Sequence, residues 1–414
     1  MKMKSRILML MILVSMLCLT LLGALNMDRR PKEEEVLPDE EVIEEEDDNV
    51  VPATFRGKVE DEFAVPQDIM KLITDYMDAY YRSLYTLEVA DLSDLFSDPL
   101  MEKISERAIT LVVEAHKDHD FDFTMKKAHY DLRITDYRVE NDKYYVDLLE
   151  DDTMCFSFLN GIESKTYEIE NYFTIVKTDQ GYKIEDLDKI QGYYMTFHDE
   201  AKSIDDVENT YAYYSGQLKD MFTYNKEILL PKSKEKAYIP NKTFAKAYDR
   251  NKAAAYADRY HHDRNPLWYN FTDEGGNCQN YASQCMLEGG IPLDYFGEEQ
   301  WKCYVEDPDY EPEINEEDTP NGRTRSWVNV NYFYNYAKWN EGKGLVADAN
   351  VNLYYAEPGD IIIVGNGGLS HTVIVSKIVD GHILVDSNSI DMKDYPVEAY
   401  TYTTIMLIKI LGSN

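Results

Sequence analysis

Positive charge is scarce in this sequence: 42 Lys and Arg stand against 77 Asp and Glu in 414 residues, a formal net charge of −35. A surface that acidic repels phosphate backbones and anionic headgroups, which excludes nucleic-acid binding and leaves membrane contact to an apolar segment alone. Cysteine is scarce too. Five in a chain of this length cannot build a disulfide framework. Cys278 and Cys285, seven residues apart, would sit about 10.5 Å apart on one helix, beyond disulfide reach. A Cys285–Cys303 bridge stays open, and Cys155 reads as a buried apolar thiol. Clustered metal ligands are lacking: His116 with His119, and His261 with His262, each stand beside aspartates near a helix end. Both pairs read as solvated termini, so neither a metal nor another cofactor is expected.

What is present begins with a cationic start (Lys2, Lys4, Arg6) and an apolar run from Ile7 to Leu25. Nineteen helical residues reach roughly 28 Å, close to a bilayer core. Residues 1–30 are therefore a signal peptide or an uncleaved membrane anchor, and the rest of the chain is expected outside the cell or in the envelope. Residues 1–50 carry a net charge of only −6, so the folded parts hold most of the acidity. Residues 31–63, with Glu33–Glu35 and Glu44–Asp48, read as a solvated acidic spacer.

The remaining length suits two folded units. Apolar residues recur at helical spacing through Ile69, Leu72, Ile73, Tyr76, Tyr80 and Leu84, and again through Leu100, Ile104, Ala108 and Leu111. Alternating stretches follow around 130–134, 144–148, 167–176 and 182–187, broken by turn signals such as Asn160-Gly161. Helices first and an antiparallel sheet second make residues 64–200 an α+β accessory domain, and this order of elements resembles the cone-shaped SnoaL-like fold. Residues 201–240 form a polar linker with a helix through Val207–Phe222. A second domain spans 241–414.

That second domain carries the chemistry. Gly275-Gly276-Asn277-Cys278-Gln279-Asn280-Tyr281 describes a tight turn into a helix N-terminus, where unpaired N–H groups and the helix dipole favour a thiolate. A core cysteine is the plain alternative, but it has no reason to follow Gly-Gly-Asn. A cysteine nucleophile needs a base. Of eight histidines, His371 has the context: it follows the strand Ile361–Val364 and the loop Gly365–Ser370, and it opens a second strand through Ile378. The turn at Asp380-Gly381 returns the chain as Ile383–Asn388, so Asp386 and Asn388, two apart on one face, are candidates to orient the imidazole. Asn277, Gln279 and Trp327 are candidate substrate contacts, with capping or packing as their plain alternatives.

These motifs, with Asn265-Pro266, Gly289-Gly290-Ile291-Pro292, Arg325-Ser326-Trp327, Glu357-Pro358-Gly359-Asp360 and Ser370-His371, resemble the bacterial putative amidase domain family over residues 245–413. That family is similar to papain-like cell-wall endopeptidases and CHAP amidases. The resemblance implies a papain-like cysteine hydrolase with Cys278 as nucleophile, His371 as base and Asp386 or Asn388 as the orienting residue. Asn277 departs from the Asp expected before the cysteine, and the acidic insertion 295–324 is longer than typical and is positioned in sequence to shape the cleft. Export, spacer and resemblance together imply hydrolysis of an amide bond in a cell-envelope peptide or peptidoglycan. The rivals are an inactive envelope-binding module that keeps the fold, and an anchored structural protein whose middle domain does the work.

Overall fold

A computed structural model of the chain describes residues 51–414. The apolar run 7–25 and the first part of the acidic spacer lie outside the described residues. Within them no helix is long and apolar enough to cross a membrane.

The two helical periodicities produce α1 (Gln67–Thr86) and α2 (Pro99–Lys117). Asp98 starts α2 by accepting the Leu100 N–H, and Pro99 sits in the first turn, where its missing N–H costs nothing. Ile69, Ile73, Tyr76 and Met77 on α1 and Ile104 and Leu111 on α2 are sealed against a meander of four antiparallel strands. These are β2 (Met125–Glu140), β3 (Lys143–Phe156), β4 (Ser164–Thr178) and β5 (Gly181–Lys189). Each fully buried aliphatic side chain contributes about 1.5–3 kcal/mol. The spacer expectation ran to residue 63, but Phe55 is buried and β1 (Arg56–Glu60) pairs in parallel with β2. That strand, Arg-Gly-Lys-Val-Glu, is not itself acidic, and the buried Phe55 ring lies directly before it. His116 is likewise no solvated terminus: it is 3% exposed and stacks on Phe123 with ring centroids 4.1 Å apart.

After α3 (Gly192–Glu200) the polar stretch forms the long α4 (Ile204–Tyr224), a π-helical turn at Asn225–Leu229 and α5 (Leu230–Glu235). The C-terminal half adds α6 (Arg250–Tyr260), α7 (Cys278–Glu288), α8 (Arg325–Val328) and α9 (Val330–Trp339). Its strands are β6 (Lys246–Ala247), β7 (Leu345–Val351), β8 (Ile361–Gly365), β9 (His371–Val379), β10 (His382–Ser387), β11 (Asp391–Pro396) and β12 (Thr404–Ser413). The alternation in β8 and β9 separates two cores. Ile361, Ile363 and Ile374 face Ala282, Met286 and Phe333 of the helices, whereas Ile362, Val364, Val373 and Val375 pack with Val385, Met392 and Leu407 on the opposite face.

The result is a mixed α/β fold on one large, mostly antiparallel sheet that runs through both halves, in the order β1-β2-β3-β4-β11-β10-β9-β8-β12. The join is β4, which is long enough for two partners on one edge: residues 165–167 pair with β11, and residues 171–178 with β5. The four cysteines among the described residues are free and buried, so the open Cys285–Cys303 pairing does not form.

The accessory half also buries an ion pair. Lys189 and Glu150, 1% and 0% exposed, bond each other, and Glu150 also accepts from Tyr81 and Asn171. Removing one partner strands the other charge in a dry interior, which costs about 3–5 kcal/mol. Lys189→Met should therefore lower the unfolding free energy by about that amount in urea titration, with an unchanged m-value; a loss below about 1 kcal/mol would show that the pair is not dry.

Candidate active site

The loop ahead of α7 is shaped by two residues that only glycine makes cheap: Gly275 and Gly276 lie at φ 99° and 114°, in left-handed backbone. Asn277 then fixes the helix start without capping it in the usual way. Its Oδ1 accepts from the Phe271 N–H (3.1 Å) and Asn280 Nδ2 (2.8 Å), its Nδ2 donates to Asn388 Oδ1 (2.7 Å), and its backbone N–H donates to Ser389 Oγ (2.7 Å). An Asp at 277 would set a carboxylate against the Asn388 carbonyl oxygen, acceptor facing acceptor, so the residue here is matched to its partner. Ser389 holds φ 74°, an uncommon conformation for a residue with a side chain, kept in place by its bonds to Asn277 and Asp391.

Cys278 is the first residue of α7 and is 9% exposed. The backbone N–H groups of Thr372, Gln279 and Cys278 itself draw the thiol down, towards the thiolate. Burial outweighs them and pushes the thiol up. The helix terminus alone led to the expectation of a resting thiolate; desolvation reverses it, and Cys278 rests as a thiol.

His371 opens β9 opposite Val364, one residue before Thr372, whose N–H draws the thiol down. Its Nε2 is sealed from solvent and has no hydrogen-bond partner, and burial pulls the imidazole down to about 4. The ring is therefore neutral at physiological pH. Strand alternation assigns Thr372 to the α7 side, with Ile374, and His371 to the parity of Val373. Among the described residues no hydrogen bond joins Cys278 to His371. What the fold brings together is the sulfur and the start of the strand that carries the imidazole.

The other expected site residues serve mainly to hold that arrangement. Asn388 gives its Oδ1 to Asn277 and its Nδ2 to the Tyr260 carbonyl (2.9 Å), so both amide atoms are committed away from His371. Asp386 lies opposite Ile374, with Oδ1 accepting the Asp394 N–H (2.8 Å) and Oδ2 buried without a partner; burial raises it to about 7. Gln279 is fully buried and accepts from Thr372 Oγ1 (2.9 Å), tying the first turn of α7 to β9. Trp327 is sealed, donates Nε1–H to Asn280 Oδ1 (2.7 Å) and packs against Trp301 and Trp268. Residues 295–324 are anchored through buried Trp301 and Cys303, and Arg323 lies over the Phe271 ring of the loop ahead of Cys278. Sequence reasoning missed Thr372 and Ser389. A hydroxyl residue directly after a candidate base, and one directly after a polar strand end, were the available signals.

The fold therefore defines a site with a thiol at a helix N-terminus, set against the strand that carries an unpartnered imidazole. Residues 247–411 match the family described as the putative amidase domain. The chain is also 28% identical over 150 residues to Uncharacterized protein YhbB of Bacillus subtilis (strain 168), an alignment covering 35% of this chain and 43% of that protein.

The depressed His371 pKa sets the sign of a pH effect. Between the ordinary histidine value of 6.5 and about 4 the unfolded chain binds a proton at this position that the folded chain refuses, so this residue's contribution to stability is lost as pH falls through that window. In NMR titrations the His371 ring resonances should stay those of a neutral imidazole from pH 8 down to about 5. A midpoint between 6 and 7 would show that the ring is solvated.

Proposed function

We propose that residues 247–411 form a papain-like cysteine amidase or peptidase, exported with the rest of the chain, that hydrolyses an amide bond of a cell-envelope peptide, most directly one in peptidoglycan. The putative-amidase match supports amide hydrolysis as the class of reaction. The observation that carries the mechanism is the place of Cys278 at the first residue of α7, whose next residue, Gln279, is bonded to Thr372, the neighbour in the chain of an imidazole whose Nε2 accepts no hydrogen bond.

Both groups rest neutral, so the first step is proton transfer. The Cys278 thiol gives its proton to His371 Nε2, and the thiolate attacks the amide carbonyl carbon. The developing oxyanion is held by N–H groups at the helix start, that of Cys278 first. His371 then protonates the leaving amine, the C–N bond breaks, and water attacks the resulting thioester to release a carboxylic acid and restore the thiol. Asn388 is committed to Asn277 and Tyr260, and Asp386, opposite Ile374, shares the α7 face of the sheet, so neither expected residue is placed to orient the imidazole. The apolar run and acidic stretch of the first 50 residues support placement at the envelope.

The burial of Cys278 and its upward shift favour a second reading, a binding module that keeps the fold. Iodoacetamide separates the two: in a hydrolase His371→Ala slows alkylation of Cys278, whereas in a binding module it leaves the rate unchanged. On purified peptidoglycan and a panel of peptide amides, with product masses as the readout, Cys278→Ala and His371→Ala should each lose at least about 10³-fold in rate. Activity retained in Cys278→Ala would sink the proposal, as would the absence of any product with the unaltered chain.

A further inference from the structure

A cavity of about 460 Å³ lies where the end of α2, the π-helical turn after α4 and the β9–β10 turn meet. That volume is in the range of small-molecule sites. It is far from the thiol: His371 begins β9 and the cavity touches the turn at its other end, nine residues on, about 26–30 Å away. Phe121, Phe222, Leu230 and Tyr354 supply an apolar and aromatic lining. π-helical turns are rare and recur at functional sites, and here Asn225 and Glu227 of that turn face the cavity.

The polar groups are not balanced. Asp118, Asp120, Glu227, Asp380 and Glu398 face three lysines, Lys219, Lys226 and Lys234, and Lys226 is already bonded to Asp120. Glu398 is the innermost of the acids. His382 Nδ1 lies 3.1 Å from its Oε1, while its Oε2 is buried with no hydrogen-bond partner. That oxygen is closed to solvent as it stands, so a donor in the cavity reaches it through a turn of the Glu398 side chain. The rings beside it form a continuous cluster, with Phe121 and His382 centroids 4.8 Å apart and His119 and Phe222 4.9 Å apart. Carboxylate excess plus aromatic faces is the chemistry that holds an ammonium group. An anion would meet repulsion here, and a neutral ligand would leave the charge excess unanswered.

We propose that this cavity is a second binding site, separate from Cys278, for an organic ammonium: a primary amine on an apolar or aromatic body, with the amine at Glu398 and the body against Phe121, Phe222 and Tyr354. The site needs no catalysis at Cys278, so its fate is independent of the amidase reading.

Calorimetric titration of the full chain with 2-phenylethylammonium tests it, with 2-phenylethanol, 3-phenylpropionate and methylammonium as comparison probes. The aromatic ammonium should bind about tenfold or more tightly than the alcohol and the small ammonium, and the carboxylate should not bind. Glu398→Gln should weaken the aromatic ammonium about tenfold, and Leu230→Trp, which fills the cavity from a partly exposed helix, should abolish its binding while the circular dichroism spectrum is unchanged. Should Glu398→Gln fail to fold, Leu230→Trp decides. The proposal is overturned by no binding of the aromatic ammonium, by equal binding of alcohol and ammonium, by equal binding of methylammonium (general attraction to an acidic protein), or by unweakened binding in Leu230→Trp.

Discussion

The site depends on a set of neutral hydrogen bonds that tie the start of α7 to the β9–β10 hairpin. Thr372 donates to Gln279, Asn277 donates to Asn388, and the Asn277 N–H donates to Ser389. Every side chain in the first two of these is buried, where a hydrogen bond is electrostatically stronger than in water and a missing one is costly. Helix and hairpin are separated by about a hundred residues of chain, and no disulfide fixes them. Together with the packing of Ala282 and Met286 against Ile363 and Ile374, these bonds define where the sulfur stands relative to the strand that begins with His371.

Burial gives the same region its electrostatic character. Desolvation raises Cys278 and Asp386 and lowers His371, each toward its neutral form. The site therefore stores no resting ion pair; it holds a thiol at the N-terminus of α7 and, on the neighbouring strand, an imidazole with an open lone pair. In such surroundings fixed dipoles act with little screening, so the arrangement suits a reaction in which charge appears only briefly. The formal charge of −35 lies outside this dry pocket and acts on what approaches the protein.

Much of this was legible in the sequence because it is local. The 3.6 period at Ile69–Leu84 gave α1, the glycine pair ahead of Asn277 marked the start of α7, and the run from Thr372 to Ile378 after a glycine-rich loop marked β9. What the sequence hid is long-range. That β4 lends one edge to β11, pairing Tyr167 with Asp391, rests on a register across more than two hundred residues that no local pattern encodes. Asn388 looked free to orient an imidazole because its partner, Asn277, lies 111 residues away. His116 looked like a solvated helix end because the Phe123 ring that covers it belongs to the following turn. Phe55 was hidden in an acidic stretch whose composition argued for solvation.

The central claim is that the Cys278 sulfur becomes covalently acylated by an amide or ester substrate. The direct measurement is acid-quenched mass spectrometry of the full chain after brief exposure to an activated peptide ester, followed by proteolysis to locate the adduct. One acyl group on the peptide that carries Cys278, absent from Cys278→Ala and from His371→Ala, is the predicted result. An unmodified Cys278, or an adduct that forms equally well without His371, would contradict the account.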